Sequence, residues 1–530
     1  MPGVSTFRST LVRAAWGALA GLLSAYTALA LAELVAGLVR PAAGPVTVVG
    51  GAVIDRTPAP VKDFAIRTFG ENDKTALQLG ILAILGLIAC ALGVLALSRP
   101  RAGAAGVLLF GVVGAVAALS RPDSTGIGDV LPSVVGALAG ALVLYLLAAK
   151  AVQVPAPVGV GAEDDEGGWN RRGFLTAAGV TAVAATSAGA LGRYFGGRQG
   201  QGAVASRESL VLPEPASPAP AVPAGVQLKV PGITAFTTPN ADFYRVDTAL
   251  TVPKVDAGTW RLRIHGKGVT RPLTYTLDQL LARPLIERDI TLTCVSNEVG
   301  GPYIGNARWL GVPLADLLEE AGVRPPSKGG RADQLVARSV DGMTLGSPVE
   351  DVMDGRDAML AVGMNGDPLP FDHGFPVRML VPGLYGYVSA CKWIEDIELT
   401  TFDAYDPYWV KRKWARRAPI KTQSRIDTPK PFARPTAGTV TVAGVAWAQH
   451  RGITRVQIRV DDGPWQDADL AAQAGVDTWR QWSYRWNASP GGHNITVRAT
   501  DGTGQIQTEQ RTRTIPDGAS GRHSVFVTVT

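Results

Sequence analysis

Cysteine is scarce in this 530-residue chain, with three residues, and histidine nearly so, with five. Three thiols exclude a disulfide-stapled scaffold and any cysteine-rich zinc or iron–sulfur array. His265, His373, His450, His493 and His523 all fall in the second half of the chain. The apolar N-terminal part therefore lacks the histidines that a transmembrane b-type haem takes as ligands. Charge is thin as well, at 18% of residues against 46% hydrophobic. Such a balance excludes a disordered chain. The net charge of +6 is scattered through loops, and no basic stripe marks a nucleic-acid partner. The common catalytic signatures are absent too. No Gly-x-Gly-x-x-Gly follows a strand, and Gly266-Lys267 runs into Gly268 where a phosphate loop needs Ser or Thr. Neither Gly-x-Ser-x-Gly nor His-Glu-x-x-His occurs.

Long apolar runs are what the chain has in excess. Five stretches, Leu11–Val39, Ala76–Leu97, Ala102–Leu119, Val130–Ala149 and Gly173–Leu191, approach or exceed the ~20 residues that cross a bilayer as helix. The positive-inside count, seven cations against six, is a weak guide to orientation. Trp169-Asn170-Arg171-Arg172-Gly173-Phe174-Leu175 before the fifth run reads as an internal twin-arginine export signal or as positive-inside anchors. Either reading leaves everything after it outside the cytoplasm, on a multi-pass plasma-membrane protein.

Residues 1–197 are thus expected to be the transmembrane region and 198–235, rich in Pro, Gly and Ala, an extended tether. Residues 236–425 mix strands and helices without a βαβ period, as an α+β domain does. Ile290, Leu292 and Cys294 share one face of a strand, with Thr291 and Thr293 on the other, and a Gly-rich loop follows. Residues 430–530 alternate in short strands, as in an immunoglobulin-like sandwich. The basic stretch Trp409–Arg417 suits anionic headgroups or an acidic partner, or is a solvated linker.

Several short blocks resemble the sulfite oxidase family of molybdopterin enzymes. They are Thr291-Leu292-Thr293-Cys294-Val295-Ser296-Asn297, Asn306-Ala307-Arg308-Trp309, Met364-Asn365-Gly366-Asp367-Pro368, His373-Gly374-Phe375-Pro376-Val377-Arg378 and Cys391-Lys392-Trp393. The implied architecture is multidomain. An α-helical transmembrane bundle precedes an α+β sulfite-oxidase-like molybdopterin domain and an all-β immunoglobulin-like sandwich. The resemblance makes Cys294 the thiolate ligand of molybdenum, beside the dithiolene of the molybdenum cofactor. A soft anionic sulfur suits a metal that cycles between oxidation states. His373, Arg378 and Lys392 match the positions that hold the pterin and its phosphate. Arg245, Asp247 and Asp341 match further cofactor contacts more partially. The sandwich resembles a dimerisation domain and leaves a homodimer open.

Two departures bear on the substrate. Glu298 follows Asn297 where sulfite oxidases place arginines, and Val362 replaces a tyrosine. A carboxylate repels sulfite by about 1 kcal/mol in water at ~4 Å. The reading is an outward-facing enzyme that transfers an oxygen atom, with two electrons, to or from a small neutral molecule such as a sulfoxide. The alternatives are a sulfite-oxidising dehydrogenase and a cofactor-free surface protein. With no haem domain in sight, the electrons need an outside partner: a quinone, a cytochrome or a membrane subunit.

Overall fold

The computed structural model describes residues 2–58, 61, 64, 68–69, 73–151 and 171–530. It divides into two compact units, Met1–Gly202 with Thr248–Val252, and Ala203–Asp247 with Pro253–Thr530.

The first unit is helical: α1 (Pro2–Val39), α2 (Pro45–Arg56), α3 (Asp73–Ala96), α4 (Pro100–Ser120), α5 (Leu131–Ala151) and α6 (Arg171–Glu208). All but α2 are long and apolar enough to cross a membrane, which matches the five runs. Small residues let the helices meet at backbone distance. A Cβ on Gly21 would lie 1.9 Å from Ala89 O, and one on Gly93 would lie 2.0 Å from Gly17 O. At the end of α1, Arg40 grips Asp129 through Nε at 3.0 Å and Nη2 at 2.7 Å, and reaches Asp123 at 2.9 Å. Trp169 and Asn170 of the twin-arginine stretch lie outside the described residues, and α6 opens at Arg171.

The expected tether is built differently. Helix α6 continues to Glu208, and the chain after it straps along the second unit. Glu287 N donates to Ser217 O at 2.9 Å, Leu228 N to Gln481 Oε1 at 2.6 Å, and Thr234 N to Asp427 Oδ2 at 3.0 Å. The prolines keep the strap extended, but Val226 between them is buried in the core. Composition registers the prolines and misses the isolated anchor.

In the second unit, two sheets form the α+β part. Strands β1 (Arg261–Gly266), β2 (Leu273–Thr276), β3 (Ile286–Thr293), β4 (Ile304–Pro313) and β5 (Gln334–Ser339) come first. Then come β6 (Thr344–Pro348), β7 (Met359–Met364), β8 (Asp367–Pro368), β9 (Arg378–Leu380) and β10 (Ile394–Thr400). One sheet runs β2-β1-β10-β5-β6, and the other runs β3-β4-β7-β8 with β9 on β7. Trp309, Leu314, Leu317 and Phe375 fill the core between them.

The C-terminal strands are β11 (Gln423–Thr428), β12 (Gly438–Trp447), β13 (Ile453–Val460) and β14 (Gln466–Asp467). They are followed by β15 (Asp469–Leu470), β16 (Arg480–Ala488), β17 (Gly491–Asp501) and β18 (His523–Val529). Sheets β11-β12-β16-β15 and β14-β13-β17-β18 close over Val456, Ile458, Trp482, Val497 and Val525, giving the expected sandwich. In the basic stretch before it, Lys411, Lys413, Arg416 and Arg417 are exposed, while Arg412 lies 3.4 Å over the Tyr408 ring and Lys411 lies 5.1 Å over that of Tyr405.

Candidate active site

Cys294 stands one residue past the end of β3. Its N–H donates to Tyr303 O at 3.0 Å, and its carbonyl accepts from Asn297 N at 3.0 Å. Asn297 Oδ1 accepts from Tyr303 N at 2.8 Å and closes the loop. Ser296 Oγ is 2.9 Å from Cys294 Sγ. Burial pushes the thiol pKa up, while the Ser296 hydrogen bonds and the charge of Lys392 pull the other way. Burial, with the Cys294 charge adding to it, holds the Tyr244 phenol far above its usual range. Glu298 is exposed, and Val362 is buried in β7.

Lys392, whose charge acts on that thiol, belongs to a cluster of buried and half-buried cations. Lys392 Nζ donates to Asp247 Oδ2 at 2.8 Å and to Asp372 O at 3.0 Å. Arg245 Nε donates to the same Asp247 oxygen at 2.9 Å, and its Nη1 pairs with Asp372 Oδ1 at 3.0 Å. Burial outweighs Asp247 and lowers the Lys392 pKa to about 8. Arg378 is 5% exposed. It lies 5.0 Å over the Trp309 ring and donates through Nη1 to His373 O at 3.1 Å. Its Nε–H is buried with no acceptor. Burial first, then the charges of Arg378 and Lys392, lowers the His373 pKa to about 4. The ring is therefore neutral near pH 7. With Nε2 3.1 Å from Asn240 O, that nitrogen carries the proton and Nδ1 is the acceptor.

Five of the seven predicted site residues, Arg245, Asp247, His373, Arg378 and Lys392, thus lie in one network of hydrogen bonds, and the charge of Lys392 acts on the sixth, Cys294. Asp341 lies in the turn between β5 and β6, where its Oδ1 accepts from Met343 N at 3.3 Å. Its charge helps burial hold the Cys391 thiol protonated. Cys391 is fully buried beside Lys392, a packed thiol as its apolar neighbours imply.

The sandwich holds the other side of the Cys294 segment. Thr291 and Thr293, on the face of β3 opposite Leu292, are 1% and 2% exposed because the sandwich covers them. Thr291 N donates to Asp477 O at 2.9 Å, and Trp479 N donates to Thr291 Oγ1 at 2.8 Å. Gln449 Nε2 reaches Thr291 O and Thr293 Oγ1, each at 3.0 Å. Further along the loop, Arg425 Nη1 donates to Gly301 O at 2.9 Å. The ring of His523 backs Gly300 so closely that a Cβ there would lie 2.3 Å from it. Sequence reasoning missed Tyr244, Ser296, Gln449 and His523 as site residues. Ser296 sits inside a quoted block and Tyr244 directly precedes the predicted Arg245, whereas no local signal marks the other two.

Comparison with known proteins agrees with this geometry. Residues 249–409 match an oxidoreductase molybdopterin binding domain, and residues 423–497 match a bacterial Ig domain. Mitochondrial sulfite oxidase of Mus musculus is 31% identical over 315 residues, covering 51% of this chain and 57% of that protein. Sulfite oxidase of Gallus gallus is 30% identical over 318 residues, covering 51% of this chain and 68% of that protein. Among solved structures, the sulfane dehydrogenase SoxCD from Paracoccus pantotrophus is 25% identical with a TM-score of 0.48, over 56% of this chain and 82% of that one. The chain spans little more than half the length of the mouse relative. On the sequence matches, the chain belongs to the sulfite oxidase family of molybdopterin oxidoreductases.

Proposed function

We propose that this chain is a membrane-anchored molybdopterin oxidoreductase that exchanges an oxygen atom and two electrons with a small neutral substrate, on the extracytoplasmic side. The observation that carries the reading is a short chain of contacts: Tyr303, whose carbonyl accepts from Cys294 N at 3.0 Å, has its ring 6.4 Å from that of Tyr244, and the next residue, Arg245, shares Asp247 with Lys392. The residues fit the cofactor. Arg378 Nε–H is an orphaned buried donor, and an unmade buried hydrogen bond costs about 1–3 kcal/mol. A phosphate or pterin acceptor would relieve it. Among the described residues no cluster of three His, Cys, Asp or Glu side chains forms a metal cage. A single protein thiolate suits a metal whose other sulfur ligands come from the cofactor.

When bound, the cofactor supplies the two-electron redox chemistry. The chain's residues bind and orient it. Cys294 must lose its proton to ligate, and Ser296 and Lys392 favour the thiolate. Arg378 and Lys392 offer charge to a phosphate, and Arg245 with Asp247 holds Lys392 in place. His373 adds a neutral acceptor at Nδ1. Asp341 would support the cofactor only from behind Cys391.

Two features support a neutral substrate. Glu298 puts a carboxylate on the ligand loop, and Arg245 and Lys392 are both answered by Asp247. The electrons pass to or from a quinone, a cytochrome or a membrane subunit. The names of the relatives favour a second reading, sulfite oxidation. Both are tested on purified protein by molybdenum analysis and by dye-linked turnover of sulfoxides, N-oxides and sulfite, with viologen or ferricyanide. The expected result is molybdenum near one per chain, sulfoxide turnover, loss of both in Cys294→Ser, and a gain of sulfite turnover in Glu298→Arg. Rapid sulfite oxidation by the wild type, without sulfoxide turnover, replaces the first reading with the second. A molybdenum-free protein overturns both and leaves the cofactor-free surface protein.

A further inference from the structure

The outer face of sheet β14-β13-β17-β18 carries a cluster that the proposed chemistry does not use. Trp465, after the Asp461-Asp462-Gly463-Pro464 turn, has three guanidinium groups around one ring. Arg498 is 4.2 Å, Arg459 5.0 Å and Arg522 5.1 Å from its centroid. Strand alternation explains why they meet. Val456, Ile458, Ile495 and Val497 fill the core, so Arg459 and Arg498 project from the opposite face. The pairing of Val497 with His523 brings Arg522 beside Arg498 across the strands.

The charge is incompletely answered. Arg522 Nη1 donates to Glu509 at 2.8 Å, and Arg455 nearby binds Asp467 at 2.6 and 2.9 Å. Arg498 has only the neutral amide oxygen of Gln457, at 2.7 and 3.0 Å. Two donors, Arg459 Nε–H and Arg522 Nε–H, are buried with no acceptor. Stacking on the indole stabilises each cation modestly. Like charges opposed across strands work against it, and each orphaned donor adds a larger cost. The cluster is therefore strained until something anionic joins it.

We propose that this face is a binding site for a tetrahedral oxyanion, a phosphate or sulfate group, received by Arg459, Arg498 and Arg522 over Trp465. A tetrahedral anion offers several acceptor oxygens to forked donors that approach from different directions. The group is either free or carried on a larger phosphorylated molecule.

The test uses the full holo-chain in detergent at constant ionic strength. Tryptophan fluorescence is read as the difference between wild type and Trp465→Phe, so that anions at the molybdopterin site do not contribute. Inorganic sulfate, inorganic phosphate and short polyphosphate are titrated, with chloride as control. The expected result is a saturable Trp465 signal with Kd near ~1 mM or below, weakened about tenfold or more in Arg459→Gln. A much tighter response to polyphosphate than to phosphate assigns the group to a larger carrier; equal responses assign a free anion. Thermal unfolding separates a site from mere stacking. A site predicts that Arg459→Gln unfolds no lower than wild type in chloride and loses the rise in Tm that sulfate gives. A chloride response equal to that of sulfate, no saturation, or a lower Tm in Arg459→Gln with unchanged anion binding overturns the proposal.

Discussion

Gly300→Ala probes the loop that presents Cys294. Gly300 has φ +81°, and an L-residue in that region pays about 1–2 kcal/mol. The added Cβ would also lie 2.3 Å from Cδ2 and 2.4 Å from Nε2 of His523. The ring cannot simply swing away. Its Nδ1 accepts from Ile426 N at 3.0 Å, and burial lowers its pKa to about 4, so the acceptor is a neutral ring fixed to β11. Overpacking against such a group costs a further ~1–3 kcal/mol, giving a total of about 2–5 kcal/mol. His523→Ala alone strands the Ile426 N–H at about 1–3 kcal/mol. The double variant removes the clash but keeps the backbone strain and the stranded Ile426 N–H, so it should be more stable than additivity predicts by the clash alone, about 1–3 kcal/mol. Urea unfolding of the four proteins, followed by tryptophan fluorescence, measures the coupling. Molybdenum per chain should fall in Gly300→Ala and recover in part in the double variant. Zero coupling, with molybdenum content unchanged in Gly300→Ala, refutes the claim that His523 fixes this loop.

Other expectations follow from the cation cluster. Asp247→Asn leaves Lys392 and Arg245 without their shared carboxylate and should destabilise the chain by about 3–5 kcal/mol; adding Lys392→Met should restore most of it, and a cost below ~1 kcal/mol for the single change contradicts the pairing. Lys392→Met should slow alkylation of Cys294 in cofactor-free protein, because the cation that favours the thiolate is gone; an unchanged rate separates the two groups. His373 titrates near 4 when folded and 6.5 when unfolded, so the unfolded chain binds more protons between those values. Its contribution is complete above about pH 6.5 and is lost as the pH falls to about 4, up to ~3 kcal/mol from this residue. His373→Gln should flatten that part of the pH–stability curve of cofactor-free protein.

What the sequence discloses depends on range. The apolar runs locate four of the five candidate membrane-spanning helices to within a few residues, because crossing a bilayer would set both composition and length, whereas the fifth helix continues from Leu191 to Glu208 with no apolar run to mark it. Cys294, His373, Arg378 and Lys392 are readable because each lies in a short block whose residue types suit one cofactor. Asp341, whose match is only partial, is less readable: its Oδ1 accepts from Met343 N within the β5–β6 turn, a local role that the sequence does not separate from a cofactor contact. The strap shows the limit of composition: six prolines between 213 and 231 argue for a tether, while buried Val226 and backbone hydrogen bonds at Ser217, Leu228 and Thr234 hold it to the second unit. Gln449 and His523 lie beyond any local pattern. The backbone of β3 that Gln449 binds is 158 residues away, a distance that only the folded topology closes.

That topology also changes what the sandwich is for. Read alone, an immunoglobulin-like tail is an appendage that could dimerise or bind a partner. Here Val445, Trp447 and Trp479 share one hydrophobic core with Trp309 and Leu314, and Trp479 Nε1 donates to Phe236 O at 2.9 Å. Without the sandwich, the Thr291 N–H and the hydroxyls of Thr291 and Thr293 would lose partners three residues and one residue from Cys294. The face of β3 that carries them would turn to solvent. Cys294 is therefore placed by two domains at once, β3 and β4 from one side and Gln449, Arg425 and His523 from the other. Changes in the sandwich that shift those three residues would act on cofactor retention before they acted on any oligomer.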